Sequence, residues 1–200
     1  MKKLYITGTD TGIGKTYFSG LLCRYLKDRG ESVYYIKPVQ TGFPADDDRK
    51  TVLEMSGIGE ENSATLHTAE IPTAPYLAFD DFPYEETVDS IKSVKGYDWL
   101  VVESAGGILV PLDEGLFNCD IALACGLKNI VVVPNRLGCV NHAMLSRYFI
   151  RNEGMDFGGF AMNNYFMSAR NDAFNISMLN DLTDGAVRFV FSDVMEFADI

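Results

Sequence analysis

Nothing in this sequence is long and apolar enough to cross a membrane; no run approaches the ~18 residues a spanning helix requires. The N-terminus lacks the charged, apolar and small-residue zones of a secretory signal. The cysteines, Cys23, Cys119, Cys125 and Cys139, are scattered, with no C-x-x-C pair and no zinc spacing. Positive charge is scarce: 17 Lys and Arg face 28 Asp and Glu, for a net charge of −11. That balance argues against a nucleic-acid-binding surface. Repeats, linkers and low-complexity tracts are missing too. A single domain over residues 1–200 is expected, in a cytoplasmic enzyme with reduced thiols. The chain is long enough to bury a core, and 47% hydrophobic with 22% charged residues is the balance of a globular protein.

Against those absences stands one glycine-rich stretch, GTDTGIGKTYFSG (residues 8–20). It is close to the phosphate-loop pattern G-x-x-x-x-G-K-[ST], but five residues separate Gly8 from Gly14 instead of four. Its flanks support a phosphate loop. LYITG (4–8) reads as a buried strand. Phe18, Leu21, Leu22, Tyr25 and Leu26 recur at helical spacing behind Lys15, and Lys27, Arg29 and Gly30 read as the helix end. The backbone N–H groups of Gly12, Ile13 and Gly14 would face an anion at the helix start. Lys15 would reach the β- and γ-phosphates of a nucleotide, and the Thr16 hydroxyl would ligate Mg²⁺.

Beyond the loop, strand and helix patterns alternate. SVYYIKP (32–38) reads as a strand closed by proline, DWLVVE (98–103), NIVVVP (129–134), FGGFAMN (157–163) and VRFVF (187–191) as further strands. Helices are expected over 46–57, over 85–96 and over 141–154, the last with Met144, Leu145, Tyr148 and Phe149 inside. A loop holding Pro72 and Pro75 lies between the first two. Repeated βα units imply an α/β fold, a parallel sheet with helices on both faces. Ligands of such sheets bind at the carboxyl ends of the strands. Lys37 followed by PVQTG, Glu103 followed by SAGG, and Asn163 are all expected at that edge. A second lysine near the γ-phosphate suits phosphoryl transfer to an anionic acceptor. A carboxylate there suits Mg²⁺. ADDD offers Asp46, Asp47 or Asp48 as another, with a helix N-terminal charge cluster as the competing reading.

GTDTGIGKT, KPVQTG, VVESAGG, PLDE and LGCVNHAML, in this order, resemble the dethiobiotin synthetase family from residue 1 to about Asn163. The resemblance implies a P-loop NTPase-like fold and a homodimeric, ATP-dependent carboxylase and cyclo-ligase. Such an enzyme converts 7,8-diaminononanoate, CO2 and ATP to dethiobiotin, ADP and phosphate. Carried onto this sequence, it implies that Lys15 and Lys37 neutralise the carbamate and the γ-phosphoryl group. Mg²⁺ falls to Thr16, Glu103 and Asp48, with Asp47 still open. Thr11 and Thr41 hold the substrate amine or carbamate, and the longer loop carries Thr9, Asp10 and Thr11 over the acceptor side. Asn163 matches a base-reading asparagine, with a turn residue as the alternative. Gly138, Val140 and Asn141 would open a helix across a two-fold interface and receive the partner's substrate carboxylate, Asn141 being otherwise a helix cap.

Three departures stand out: Ser104 where many relatives have glycine, Arg136 where they have lysine, and an end at Ile200 where relatives extend to enclose the base. A cell-organising P-loop ATPase switch is the rival class. It calls for another lysine early in the loop, where Thr9 stands, and for an amphipathic anchor, unlike the acidic tail FSDVMEFADI. A small-molecule kinase would need an arginine-rich lid that the sequence lacks.

Overall fold

The computed structural model describes residues 1–197, so the last three residues of the acidic tail lie outside it. In chain order the elements are β1 (Lys2–Gly8), α1 (Lys15–Asp28), β2 (Val33–Thr41), α2 (Asp48–Ser56), β3 (Ser63–Ala69), the single turn α3 (Pro75–Ala78) and α4 (Tyr84–Ser93). Then follow β4 (Trp99–Gly107), the short hairpin β5 (Pro111–Asp113) and β6 (Leu116–Phe117), α5 (Asn118–Ala124), β7 (Lys128–Pro134) and α6 (Cys139–Asn152). The chain continues through β8 (Phe157–Asn163), α7 (Phe174–Thr183), β9 (Val187–Phe191) and β10 (Met195–Phe197).

One eight-stranded sheet, ordered β10-β9-β8-β7-β1-β4-β2-β3, runs through the molecule. All neighbours pair in parallel except β10, which runs antiparallel to β9. Alternation along the strands sorts the core into two layers. Tyr5, Ile36, Leu100, Val102, Val131 and Phe160 pack with α4, α5, α6 and α7 on one face. Leu4, Ile6, Tyr35, Val101, Val132 and Phe189 pack with α1 and α2 on the other. This is the expected parallel sheet with helices on both faces. Among the described residues, no helix is long and apolar enough to cross a membrane.

Three expectations need correction. β2 does not stop at Pro38 but runs to Thr41, which puts Lys37 in mid-strand. The β2–β4 pairing ends at Ile36 and Val102. The missing N–H of Pro38 therefore falls where β2 no longer pairs with β4, and proline is tolerated there. Glu103 likewise lies within β4, which continues to Gly107. Finally, α6 turns Leu145 and Tyr148 outward, 59% and 71% exposed, and buries Cys139, Ala143 and Ile150 instead. Met144 and Phe149 do pack against the sheet-side core as expected, partly buried beside Val131, Val133 and Phe160.

Candidate active site

The glycine loop is shaped by backbone that only glycine adopts easily. Gly12 and Gly14 have φ of 69° and 95°, and Gly14 caps α1. A side chain on Gly14 would also strike Asn163 Nδ2 at 2.5 Å. Asn163 is buried at the end of β8; its Nδ2 donates to the Ile13 carbonyl (3.0 Å) and its Oδ1 accepts from Tyr165 N–H (3.1 Å). It thus fastens the loop to β8 and caps the turn that follows, as the turn reading expects. Ile13 itself packs into the α1-side core.

Lys15, Thr16, Lys37, Thr41, Asp48 and Glu103 come together with Thr11, Gly12 and Gly14 around one cavity of about 860 Å³. Lys15 Nζ folds back to the Asp10 carbonyl at 2.9 Å. Glu103 is wholly buried. Its Oε1 accepts from Thr16 Oγ1 (2.8 Å) and Lys37 Nζ (2.9 Å), and its Oε2 accepts from Tyr35 Oη (3.0 Å). Lys37 Nζ also meets Asp48 Oδ2 at 2.5 Å and donates to the Ser104 carbonyl at 3.2 Å. Asp48 stands at the start of α2, where Gln40 Oε1 accepts its N–H (3.2 Å). Asp47, one residue earlier, is the helix cap and accepts the Lys50 N–H at 2.9 Å. The acidic triplet is therefore divided: Asp47 caps the helix and Asp48 faces the lysines.

The electrostatics follow from burial and pairing. Burial lowers the Lys15 ammonium to about 8, with help from the charge of Lys37 and against the pull of Glu103, Asp48 and Asp10. Burial also works to lower Lys37, but Glu103 and then Asp48 more than offset it, so its pKa is raised. Burial tends to raise Asp48, and the Lys37 charge and hydrogen bond pull it below the carboxylate range. At the cavity wall Lys37 thus pairs with both carboxylates, Glu103 wholly buried and Asp48 part-exposed, while Lys15 stands nearby on the Asp10 carbonyl. The set of two carboxylates and a hydroxyl is all oxygen, as hard cations require, with two carboxylates and the nucleotide's phosphates a usual arrangement for Mg²⁺. The bridging position of the Lys37 ammonium shows the carboxylates already holding a cation.

Gly138, Val140 and Asn141 do not line this cavity. Gly138, at φ 90°, is the N-terminal cap of α6, and Asn141 lies in the first turn with an exposed side chain. Asn141 is therefore not the cap: the glycine turn takes that place, so the helix opens two residues earlier than expected. Cys139 N–H donates to the Arg136 carbonyl (3.1 Å), which leaves the N–H groups of Val140 and Asn141 without intrahelical partners. Of the departures, Ser104 donates to the Gly106 carbonyl (2.8 Å) within the last residues of β4. Arg136 lies over the Phe166 ring, its guanidinium 4.0 Å from Asp10.

A sequence profile described as an AAA domain matches residues 2–188. The ATP-dependent dethiobiotin synthetase of Methanocaldococcus jannaschii is 37% identical over 172 residues, covering 80% of this chain and 78% of that protein. Those of Clostridium perfringens and Aquifex aeolicus are 32% and 31% identical over 91% and 90% of this chain, covering 86% and 84% of theirs. The chain belongs to the ATP-dependent dethiobiotin synthetase family. Likeness to solved structures extends to the fold alone. The septum site-determining protein MinD of Pyrococcus horikoshii, solved with Mg-ADP, gives a TM-score of 0.62 at 19% identity over 96% of this chain and 82% of that one. The signal recognition particle receptor FtsY of Elizabethkingia anophelis, solved with GDP, gives 0.65 at 15% identity; this chain spans 61% of that one, under two thirds of its length.

Sequence reasoning for this synthetase missed Tyr35, Gln40 and Asn118. Tyr35 stands two residues before Lys37, so strand alternation alone puts both on one face. Gln40 stands inside the PVQTG motif. Asn118 Nδ2 donates to the Ala105 and Gly107 carbonyls at 2.7 and 2.8 Å, and no sequence pattern marks it.

Proposed function

We propose that this member of the dethiobiotin synthetase family carboxylates 7,8-diaminononanoate and closes the ureido ring at the expense of ATP, in the cytoplasm. The observation that carries the reading is the meeting of Lys15 and Lys37 with Thr16, Asp48 and Glu103 on one cavity. In the proposed reaction one substrate amine adds to CO2 and loses a proton to give a carbamate. A carbamate oxygen attacks the γ-phosphorus and ADP departs, leaving a carbamic-phosphoric anhydride. The second amine attacks the carbonyl carbon, loses its proton and expels phosphate.

The loop N–H groups of Gly12, Ile13 and Gly14 bind the phosphates. Asn163, with one amide hydrogen left after the Ile13 carbonyl, is assigned to the nucleotide base. Thr16, Asp48 and Glu103 would hold Mg²⁺, which would supply charge neutralisation at the phosphates. Lys15 and Lys37 stabilise charge that grows on the transferred group, an effect of about 3–4 kcal/mol per donor. Thr11 and Thr41, on the cavity wall, hold the amine or carbamate. Gly138, Val140 and Asn141 receive the carboxylate of a substrate bound in the partner of a homodimer.

The test is turnover with diaminononanoate, bicarbonate and MgATP. Phosphate release should require both diamine and CO2, with dethiobiotin seen by mass spectrometry. ATP hydrolysis indifferent to the diamine, without dethiobiotin, would overturn the ligase reading and favour a switch.

A further inference from the structure

Two of the three donors to Glu103 line the cavity, and the third does not. Thr16 and Lys37 face the ligand space, and both donate to Oε1. Tyr35 is wholly buried beneath it, in the core layer shared with α1. Among the described residues, its hydroxyl is the one donor to Oε2, at 3.0 Å. The strands fix this arrangement. Tyr35 pairs with Val101 on β4, and Glu103 is the next residue along β4 on the same face. Lys37 is the next along β2. The phenol therefore reaches Glu103 from below while the ammonium meets it level with the cavity.

The proposed reaction draws Thr16 and Lys37 away from Oε1, toward metal and phosphate. What then holds the carboxylate is Tyr35. A buried carboxylate oxygen left without a donor is costly, and an unfastened carboxylate is free to turn and offer both oxygens. We propose that Tyr35 is a positioning residue that fastens Glu103 Oε2 in the core so that Oε1 alone faces the divalent cation. This inference rests on the proposed metal role of Glu103 and adds a specificity to it. A single fixed oxygen suits Mg²⁺, which demands near-ideal octahedral geometry, and its usual stand-in Mn²⁺, which favours a six-oxygen shell, whereas Ca²⁺ accepts bidentate carboxylates and irregular shells.

The probe is Mn²⁺ binding to the ADP-loaded protein by electron paramagnetic resonance, with Mg²⁺ and Ca²⁺ measured by competition. Tyr35→Phe removes the oxygen and keeps the ring. It should weaken Mn²⁺ and Mg²⁺ by about tenfold or more, the usual range for a partner that orients a metal ligand, and Ca²⁺ by distinctly less. ADP affinity in EDTA should stay at the wild-type value. Tyr5→Phe is the control: Tyr5 is equally buried and its hydroxyl donates to the Asn118 carbonyl (3.1 Å), so its loss should leave Mn²⁺ affinity unchanged. Glu103→Gln separates the two layers of the argument. If Glu103→Gln weakens Mn²⁺ binding and Tyr35→Phe does not, the positioning role falls and the metal role stands. Equal losses in Tyr5→Phe and Tyr35→Phe, or equal losses of Mn²⁺ and Ca²⁺ affinity, overturn the positioning role as well. If Glu103→Gln has no effect, the metal role falls and takes the proposal with it.

Discussion

Around β1, β4 and β2 the molecule buries charge and satisfies it; around α6 and α7 it exposes apolar side chains and leaves them uncovered. On the first side Lys15, Lys37 and Glu103 are all under a tenth exposed, and each has a partner within the chain. On the second, Leu137, Leu145 and Tyr148 around α6 and Phe174, Met178 and Leu182 along α7 stand at 47–95% exposure. Ordinary folding energetics favours the reverse, since charge prefers water and hydrocarbon avoids it. The charged half is internally complete, and its cost is retained for chemistry. The apolar half is exposed in the single chain, and the proposed homodimer would cover it on a two-fold axis. The α6 start, assigned to the partner's substrate, belongs to that second half.

The contrast breaks most severely if the buried lysines are expendable. Lys15→Ala and Lys37→Ala should each lower kcat by about 100-fold or more, the usual loss for a donor that meets developing charge. Lys37→Ala also removes the ammonium that pairs with the buried Glu103 and with Asp48, which should lower stability by about 3 kcal/mol. Stopped turnover with a lowered melting temperature is the expected pair of results. Near-normal kcat in Lys37→Ala would reduce the buried cluster to architecture.

Next in size is the apolar half. Leu145→Glu combined with Tyr148→Glu places two charges on the exposed α6 face. Sedimentation should show monomers where the parent chain sediments as a dimer, and activity should fall about tenfold as the partner's helix start is lost. Because these side chains are exposed in the single chain, the monomer's own fold should survive, with its circular dichroism retained. A parent chain that is monomeric at full activity would show that each site is built alone.

How far the sequence foretold these two halves differs with the kind of signal. The P-loop, its strand and α1 were legible because glycine spacing, a buried run and a helical apolar stripe all agreed. The strand β3 was not: SATLHTA lies at the sheet edge, half-buried, and carries neither an apolar run nor clean alternation. α7 was hidden because its apolar positions at 174, 178 and 182 face outward. The cluster of Lys37 with Glu103 could be anticipated from the sheet rule, though both lie inside their strands. Tyr35 escaped because a tyrosine in a buried strand reads as packing, and only the partner of its hydroxyl shows otherwise.

A smaller effect sharpens the comparison at α6. Asn141 is exposed in the first turn, where a carboxylate stabilises the helix, so Asn141→Asp should fold at least as well as its parent. Its charge would repel the carboxylate of the partner's diamine. The KM for diaminononanoate should rise about tenfold while that for ATP stays put. Mixed with Lys15→Ala and allowed to exchange, it should form heterodimers with one unlesioned site, and activity should partly return. An absence of recovery in well-exchanged mixtures would detach α6 from the neighbouring site.

The smallest effect asks whether the charged half is one unit or two jobs side by side. Asp47 and Asp48 are neighbours at the start of α2, yet the backbone turn separates their side chains. Asp47 accepts the Lys50 N–H, and Asp48 meets Lys37. Capping is worth about 1 kcal/mol, and it is local to the helix. Asp47→Ala should therefore lower stability by about that amount, read from chemical denaturation, while the Mg²⁺ dependence of turnover stays at its parent value. Asp48→Asn should do the opposite, shifting the Mg²⁺ midpoint upward and keeping the helix, because its backbone bond to Gln40 does not involve the carboxylate. If Asp47→Ala moves the Mg²⁺ midpoint as far as Asp48→Asn does, the two carboxylates act together and the division between cap and site is wrong.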